Sequence, residues 1–138
     1  MVLNFVVVDD ENTNNMISRI VIKQSYPEAI VKEFTDSSAA LAYILSLDSV
    51  LEDMCTVLFL DLNMPILSGW DFLYAFKSFK NSLKQKIKVY ILSSSVDERD
   101  LKRAQNISEV RDYLEKPLTS EHVQMIVKDL CPDFSKSN

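Results

Sequence analysis

Three carboxylates, a hydroxyl and an amine each follow a short apolar run in this chain. Asp9 and Asp10 follow FVVV (5–8), Asp61 follows VLFL (57–60), Ser93 follows VYIL (89–92), and Lys116 closes DYLEK before Pro117. Carboxylates brought within a few ångströms of one another repel unless protons or a cation neutralise them. A site made of carboxylate oxygens, with room for water and a backbone carbonyl, is what Mg²⁺ prefers. Adding a hydroxyl and an ammonium makes a pocket suited to a phosphoryl group, whose oxygens need both positive charge and hydrogen-bond donors. A carboxylate held there can also attack phosphorus and keep it as an acyl phosphate. On this reading Asp61 is the nucleophile. Asp10, Asp61 and the backbone carbonyl of Asn63 are metal ligands, and Asp9 joins them directly or through water.

Such a site exists only if the fold gathers the ends of separate segments. The three dense runs are short and rich in Val, Ile and Phe, as expected of strands buried on both faces of a parallel sheet. Two weaker runs, AIVKEF (29–34) and RDYL (111–114), read as flanking strands. Helical stripes lie between them: Ile17, Ile20, Val21 and Gln24; Ala40, Ile44 and Leu47; Leu73 and Phe76; Leu101, Ala104 and Ile107; and Val123, Ile126, Val127 and Leu130. Thr119 is placed to cap the last helix, with Glu121 in its first turn, and Asp36 to cap the second. Strand and helix alternate five times, which predicts an α/β fold with a parallel sheet, right-handed crossovers and helices on both faces. Ligands of such sheets sit beyond the carboxyl ends of the strands. With strand order 2-1-3-4-5, the first and third strands are neighbours and Asp9, Asp10 and Asp61 converge.

The totals narrow the function classes. Length, 47% apolar residues and 25% charged residues suit one globular domain, expected over residues 1–131, with a short polar tail at 132–138. The net charge of −5 argues against direct nucleic-acid binding, and the lysines of KSFKNSLKQKIK (77–88) read as coating a helix end and loop. No apolar run is long enough for a membrane span, and the first residues lack the features of a secretory signal, so a cytoplasmic location with no membrane partner is expected. Cys55 and Cys131 lack metal-type spacing; a lone disulfide is one reading, and two free buried thiols in a reducing compartment is the favoured one. His122 is the only histidine and reads as a surface residue, which argues against a His-rich metal site or a Ser-His-Asp triad.

Taken singly, each candidate has a plainer use. Asp61 can be a turn residue, and Asp9 and Asp10 helix caps. Ser95 reads as loop, Lys116 as a solvated lysine, Tyr113 as a packed aromatic, and Met64 and Trp70 as packing or loop residues. The functional reading rests on the joint pattern of acid, acid, hydroxyl and amine at four strand ends.

Four segments together, VVVDDENTNN, LFLDLNMPILSGWDFL, VYILSSS and DYLEKPL, resemble the receiver domains of bacterial two-component response regulators, and the resemblance covers nearly the whole chain. It implies a flavodoxin-like five-stranded sheet of order 2-1-3-4-5, of the stand-alone, chemotaxis-regulator-like kind. Asp61 would be the phosphorylated residue, Asp9 and Asp10 would hold Mg²⁺, and Lys116 would contact the phosphoryl group. Ser93, directly after VYIL, takes the place of the family's hydroxyl, and Tyr113 that of its switch aromatic. One departure is the segment AQNISEVRDY, where the family's glycine turn is missing and Asn106 is expected to make the turn instead.

The implied function is a phosphorelay signalling switch rather than an enzyme acting on other substrates. A sensor histidine kinase or histidine phosphotransfer protein donates to Asp61, and a downstream effector protein reads the changed surface. A receiver-like docking module that is not phosphorylated is the alternative. A haloacid-dehalogenase-type hydrolase is disfavoured because it needs a second Asp two residues after the nucleophile, where this chain has Asn63.

Overall fold

The computed structural model describes residues 1–94 and 97–130; Ser95, Cys131 and the tail 132–138 lie outside the described residues. Five strands, β1 (Val2–Val8), β2 (Ile30–Phe34), β3 (Met54–Leu60), β4 (Ile87–Ser93) and β5 (Val110–Glu115), alternate with helices α1 (Asn12–Ser25), α2 (Ser37–Ser46), α3 (Gly69–Lys77), α4 (Asn81–Lys84), α5 (Glu98–Gln105) and α6 (Ser120–Leu130). A 3₁₀ turn, Leu47–Ser49, follows α2. The strands form one parallel sheet of order β2-β1-β3-β4-β5, the flavodoxin-like arrangement.

β1, β3 and β4 lie inside the sheet and are buried on both faces, which is why they read as unbroken apolar runs. Alternate side chains feed two core layers. Val6, Val8, Leu58, Leu60, Val89 and Ile91 pack with residues of α2, α3, α4 and α5. Phe5, Val7, Val57, Phe59 and Leu92 pack with Ile22 of α1 and Val123, Ile126 and Val127 of α6. Phe5, Phe59, Phe72 and Phe76 are fully enclosed, and each such side chain contributes about 1.5–3 kcal/mol by burial. The edge strands β2 and β5 expose Lys32, Glu33, Arg111 and Asp112, charges that discourage further strand pairing. Among the described residues no helix is long and apolar enough to cross a membrane.

Two local expectations change, the buried face of α1 and the turn α4. The buried face of α1 is Asn15, Ser18 and Ile22, while Ile17 and Ile20 are 39% and 44% exposed. Asn15 turns inward there to donate to the strand-end carbonyls of Asp9 and Phe34, which hydropathy periodicity does not register. The helical turn α4 is additional; its Lys84 reaches the Lys77 carbonyl at 3.0 Å and Glu109 at 3.1 Å. Asn106 makes the turn after α5 as expected, capping the helix with φ −85° and so without a left-handed conformation. His122 lies at the surface of α6, partly covered: its Nδ1 accepts from the Thr119 N–H at 3.2 Å, while the Thr119 hydroxyl accepts from the His122 N–H at 3.1 Å. Thr119 and Asp36 do sit at the expected helix starts. The lysines of 77–88 do coat a helix end and loop: Lys84, Lys86 and Lys88 each donate to backbone carbonyls.

Candidate functional site

The register of β1 against β3 pairs Val8 with Leu60, and the Asp61 N–H donates to the Val8 carbonyl at 2.9 Å. The next residue on each strand is therefore an aspartate at the carboxyl edge of the sheet. Asp9, Asp10 and Asp61 each bring a carboxylate oxygen within 4.8 Å of the others. Asp9 and Asp61 are buried, at 5% and 6% exposure, whereas Asp10 is exposed.

β5 supplies the amine. β4 and β5 pair Ser93 with Glu115, and the Lys116 N–H donates to the Ser93 carbonyl at 2.7 Å. The Lys116 ammonium thereby reaches back across the edge, 2.5 Å from Asp9 Oδ2 and 3.7 Å from Asp61 Oδ1. The Lys116–Pro117 peptide is cis. Ser93 is buried at the end of β4, and Ser94 is exposed and lines the cleft. That cleft, about 500 Å³, is bounded by Asp10, Asp61, Asn63, Ser94 and Lys116 among others. Tyr113 lies on β5, half-buried against the core layer that holds α3 and α5.

Burial is the main cause that pushes the Asp61 carboxyl above its ordinary range; the Asp9 and Asp10 charges add to it, and Lys116 and the Asn63 N–H oppose it. The Asn63 N–H donates to Asp61 Oδ1 at 3.3 Å, and the Glu11 N–H to Asp9 Oδ1 at 2.9 Å. Three carboxyl groups thus face one amine in a partly desolvated place. A divalent cation with a preference for oxygen matches that balance, so the donor set fits Mg²⁺.

The segment after Asp61 is tied down on both sides. Met64 is buried, and the Ser37 hydroxyl donates to the Leu67 carbonyl at 3.1 Å. Ile66 is fully exposed with φ 69°, a left-handed conformation unfavourable for a β-branched residue. Ser68 and Asp71 form a reciprocal capping box at the start of α3. Gly69 then passes against the nucleophile's own backbone: its N–H donates to the Leu62 carbonyl at 3.0 Å, and a Cβ built on it would lie 2.7 Å from Leu62 Cα and closer still to the Asp61 carbonyl oxygen. Trp70 follows, half-buried, with the Arg103 guanidinium of α5 stacked 4.1 Å from its ring centre.

The structure thus brings Asp9, Asp10, Asp61 and Lys116 together, with Asn63 at the cleft and Ser93 at the adjoining strand end. Two features were not foreseen. Gly69 carried a signal, being the only glycine in the sequence, and its reason is a close approach of backbone to backbone. Asn15, buried behind Asp9, carried none.

Comparison with known proteins agrees with the geometry. The response regulator receiver domain family matches residues 5–128. Stress response regulator protein 1 of Meyerozyma guilliermondii is 34% identical over 70 residues, 51% of this chain and 30% of that protein. A probable methanogenesis regulatory protein of Methanothrix harundinacea is 26% identical over 90% of this chain and 78% of its own length. The chain therefore spans under a third of one curated relative and over three quarters of the other. A two-component response regulator from Cytophaga hutchinsonii has a crystal structure that superposes with a TM-score of 0.85, at 25% identity, over 95% of this chain and 98% of that one. With the matched segment running from β1 into α6 and an acidic pocket able to hold a metal at the sheet's carboxyl edge, this chain belongs to the response regulator receiver domain family of signalling domains.

Proposed function

We propose that the chain is a phosphoacceptor switch, with Asp61 taking a phosphoryl group from a phosphohistidine on a sensor kinase or phosphotransfer protein. The observation that carries this reading is the gathering of Asp9, Asp10 and Asp61 within 4.8 Å, with Lys116 bridging Asp9 and Asp61. An Asp61 carboxylate oxygen attacks phosphorus, the phosphorus–nitrogen bond breaks, and the donor imidazole leaves. Burial at the strand end keeps the Asp61 carboxylate poorly solvated and fixed in direction, both of which favour attack. Lys116 neutralises a phosphoryl oxygen, leaving its partner Asp9 to the metal site. Mg²⁺, held by Asp9, Asp10, Asp61 and the Asn63 carbonyl, would supply Lewis-acid neutralisation of the transferring group. The Ser93 hydroxyl donates to another phosphoryl oxygen, and Tyr113, on the neighbouring strand, follows the change. The surface of α5, β5 and α6 then shifts its preference among effector partners, a two-state equilibrium biased by new charge and hydrogen bonds.

A second reading, a receiver-like docking module that is never phosphorylated, draws on one observation: the Lys116–Asp9 ion pair partly satisfies the pocket from within the chain. One experiment separates the two. Phosphodonor labelling should modify the native protein and not Asp61→Asn. Mg²⁺ or beryllofluoride should change Trp70 emission, because this indole joins the helix after Asp61 to Arg103 on α5. An unlabelled native protein with an unmoved Trp70 would leave the docking module standing.

A further inference from the structure

Asn15 occupies the core-facing side of α1, only 2% exposed, where a helix ordinarily places an apolar residue. Its Nδ2 donates to two carbonyls at once, that of Asp9 at 3.0 Å and that of Phe34 at 3.1 Å. These carbonyls lie at the carboxyl ends of β1 and β2, and the Phe34 carbonyl also accepts from the Asp9 N–H at 3.0 Å. The opposite amide orientation would set three oxygens against one another, so the donor direction is fixed. Asn15 Oδ1 is buried without a partner among the described residues, an unfavourable arrangement for an amide. The side chain is therefore poorly suited to packing alone and well suited to holding the peptide that links Asp9 to Asp10.

That peptide matters because the two aspartates are secured differently. Asp9 is held through its side chain, by Lys116 and the Glu11 N–H. The Asp10 carboxylate is exposed and makes no hydrogen bond or ion pair among the described residues, so the backbone that carries it is what limits the region it can reach. We propose that Asn15 is a positioning residue for the acidic cradle: by clamping the Asp9 carbonyl, it keeps the Asp10 carboxylate within ligand distance of Asp9 and Asp61. This deepens the Mg²⁺ reading above and rests on it. Groups that orient ligands from behind typically contribute 10–100-fold to metal affinity.

The test is Mg²⁺ titration of the native protein, Asn15→Leu, Asn15→Ser and Ile22→Val by isothermal calorimetry, well below each melting midpoint, with folding checked by circular dichroism. Ile22→Val loosens the same buried face of α1 without touching the clamp. Asn15→Leu should weaken Mg²⁺ by about tenfold or more. Ile22→Val should stay within about twofold of native, so lost stability alone does not account for the effect. A folded Asn15→Leu that binds within about twofold of native overturns the inference while leaving the Mg²⁺ reading intact. Where Asn15→Leu does not fold, Asn15→Ser decides by the same criterion. A native protein without Mg²⁺ affinity overturns both.

Discussion

Gly69→Ala tests whether the start of α3 and the end of β3 are locked together. The new methyl carbon would sit 2.7 Å from Leu62 Cα, where ordinary contact begins near 3.4 Å, and it meets the Asp61 carbonyl oxygen more tightly still. Both neighbours are backbone, so no side chain can swing aside; strand end and helix must separate by at least about 0.7 Å. Overpacking of this kind costs about 1–3 kcal/mol. Gly69 does not have positive φ, so alanine recovers about 0.4–1 kcal/mol by restricting the unfolded chain. The expected net loss is about 1–2 kcal/mol, or roughly 3–7 °C in melting midpoint for a chain of this size. Urea and thermal denaturation measure it, and Mg²⁺ titration of the same variant reports on the pocket. Because the separation is forced at Asp61 itself, Mg²⁺ binding should weaken alongside stability. A Gly69→Ala protein as stable as native, or more so, would show that the close approach is not enforced.

Lys116→Met removes the internal cation facing Asp9 and Asp61: the metal-free protein should lose stability, since unpaired buried carboxylates are costly, while Mg²⁺ should bind about tenfold more tightly once the competing charge is gone. Unchanged Mg²⁺ affinity would argue against competition for the same oxygens. Burial first, and then the neighbouring carboxylates, raise Asp61 above 3.8, so the folded state holds that proton more tightly than the unfolded chain; this contribution is present below pH 3.8 and lost as pH rises through the raised value. Asp61→Asn without metal should therefore melt higher than native at neutral pH, with the gap narrowing on acidification; a widening gap would contradict the assignment. Burial works to raise Glu109, yet the Lys84 hydrogen bond and charge prevail with local help, and its carboxyl lies below 4.5; its contribution is present above pH 4.5 and fades as pH falls through the lowered value. Glu109→Gln should cost about 1 kcal/mol at neutral pH, measured by urea denaturation, and the difference should close in acid.

Much of the sheet and most of the pocket were legible in the chain because their signals are local. FVVV, VLFL and VYIL announce two-sided burial, and the residue after each run is the one the sheet must present at its edge. Asp9, Asp10, Asp61 and Lys116 could be named on that ground, and the resemblance fixed their expected order. The inward face of α1 was not legible: Ile17 and Ile20 carry the hydrophobic stripe, yet Asn15 and Ser18 turn inside, and only the folded neighbours reveal that the Asp9 and Phe34 carbonyls lie within reach of the Asn15 amide. The helical turn α4 escaped for a related reason, as its Lys84 is anchored by the Lys77 carbonyl and by Glu109, a carboxylate 25 residues further along the chain.

By itself the sequence determined which groups reach the edge of the sheet: alternation and hydrophobic runs set strand identity, and the next residue inherits its place. Only the tertiary structure decided how those groups bear on one another. The 2.5 Å pairing of Lys116 with Asp9 rather than Asp61, the buried clamp of Asn15 and the contact of Gly69 with the nucleophile's backbone depend on strand register and helix approach. Lys116 and Asp9 lie 107 residues apart, and even where the separation is short, as for Asn15 with Asp9 and Gly69 with Asp61, the distance is set by how strand and helix meet in space, which no local pattern encodes.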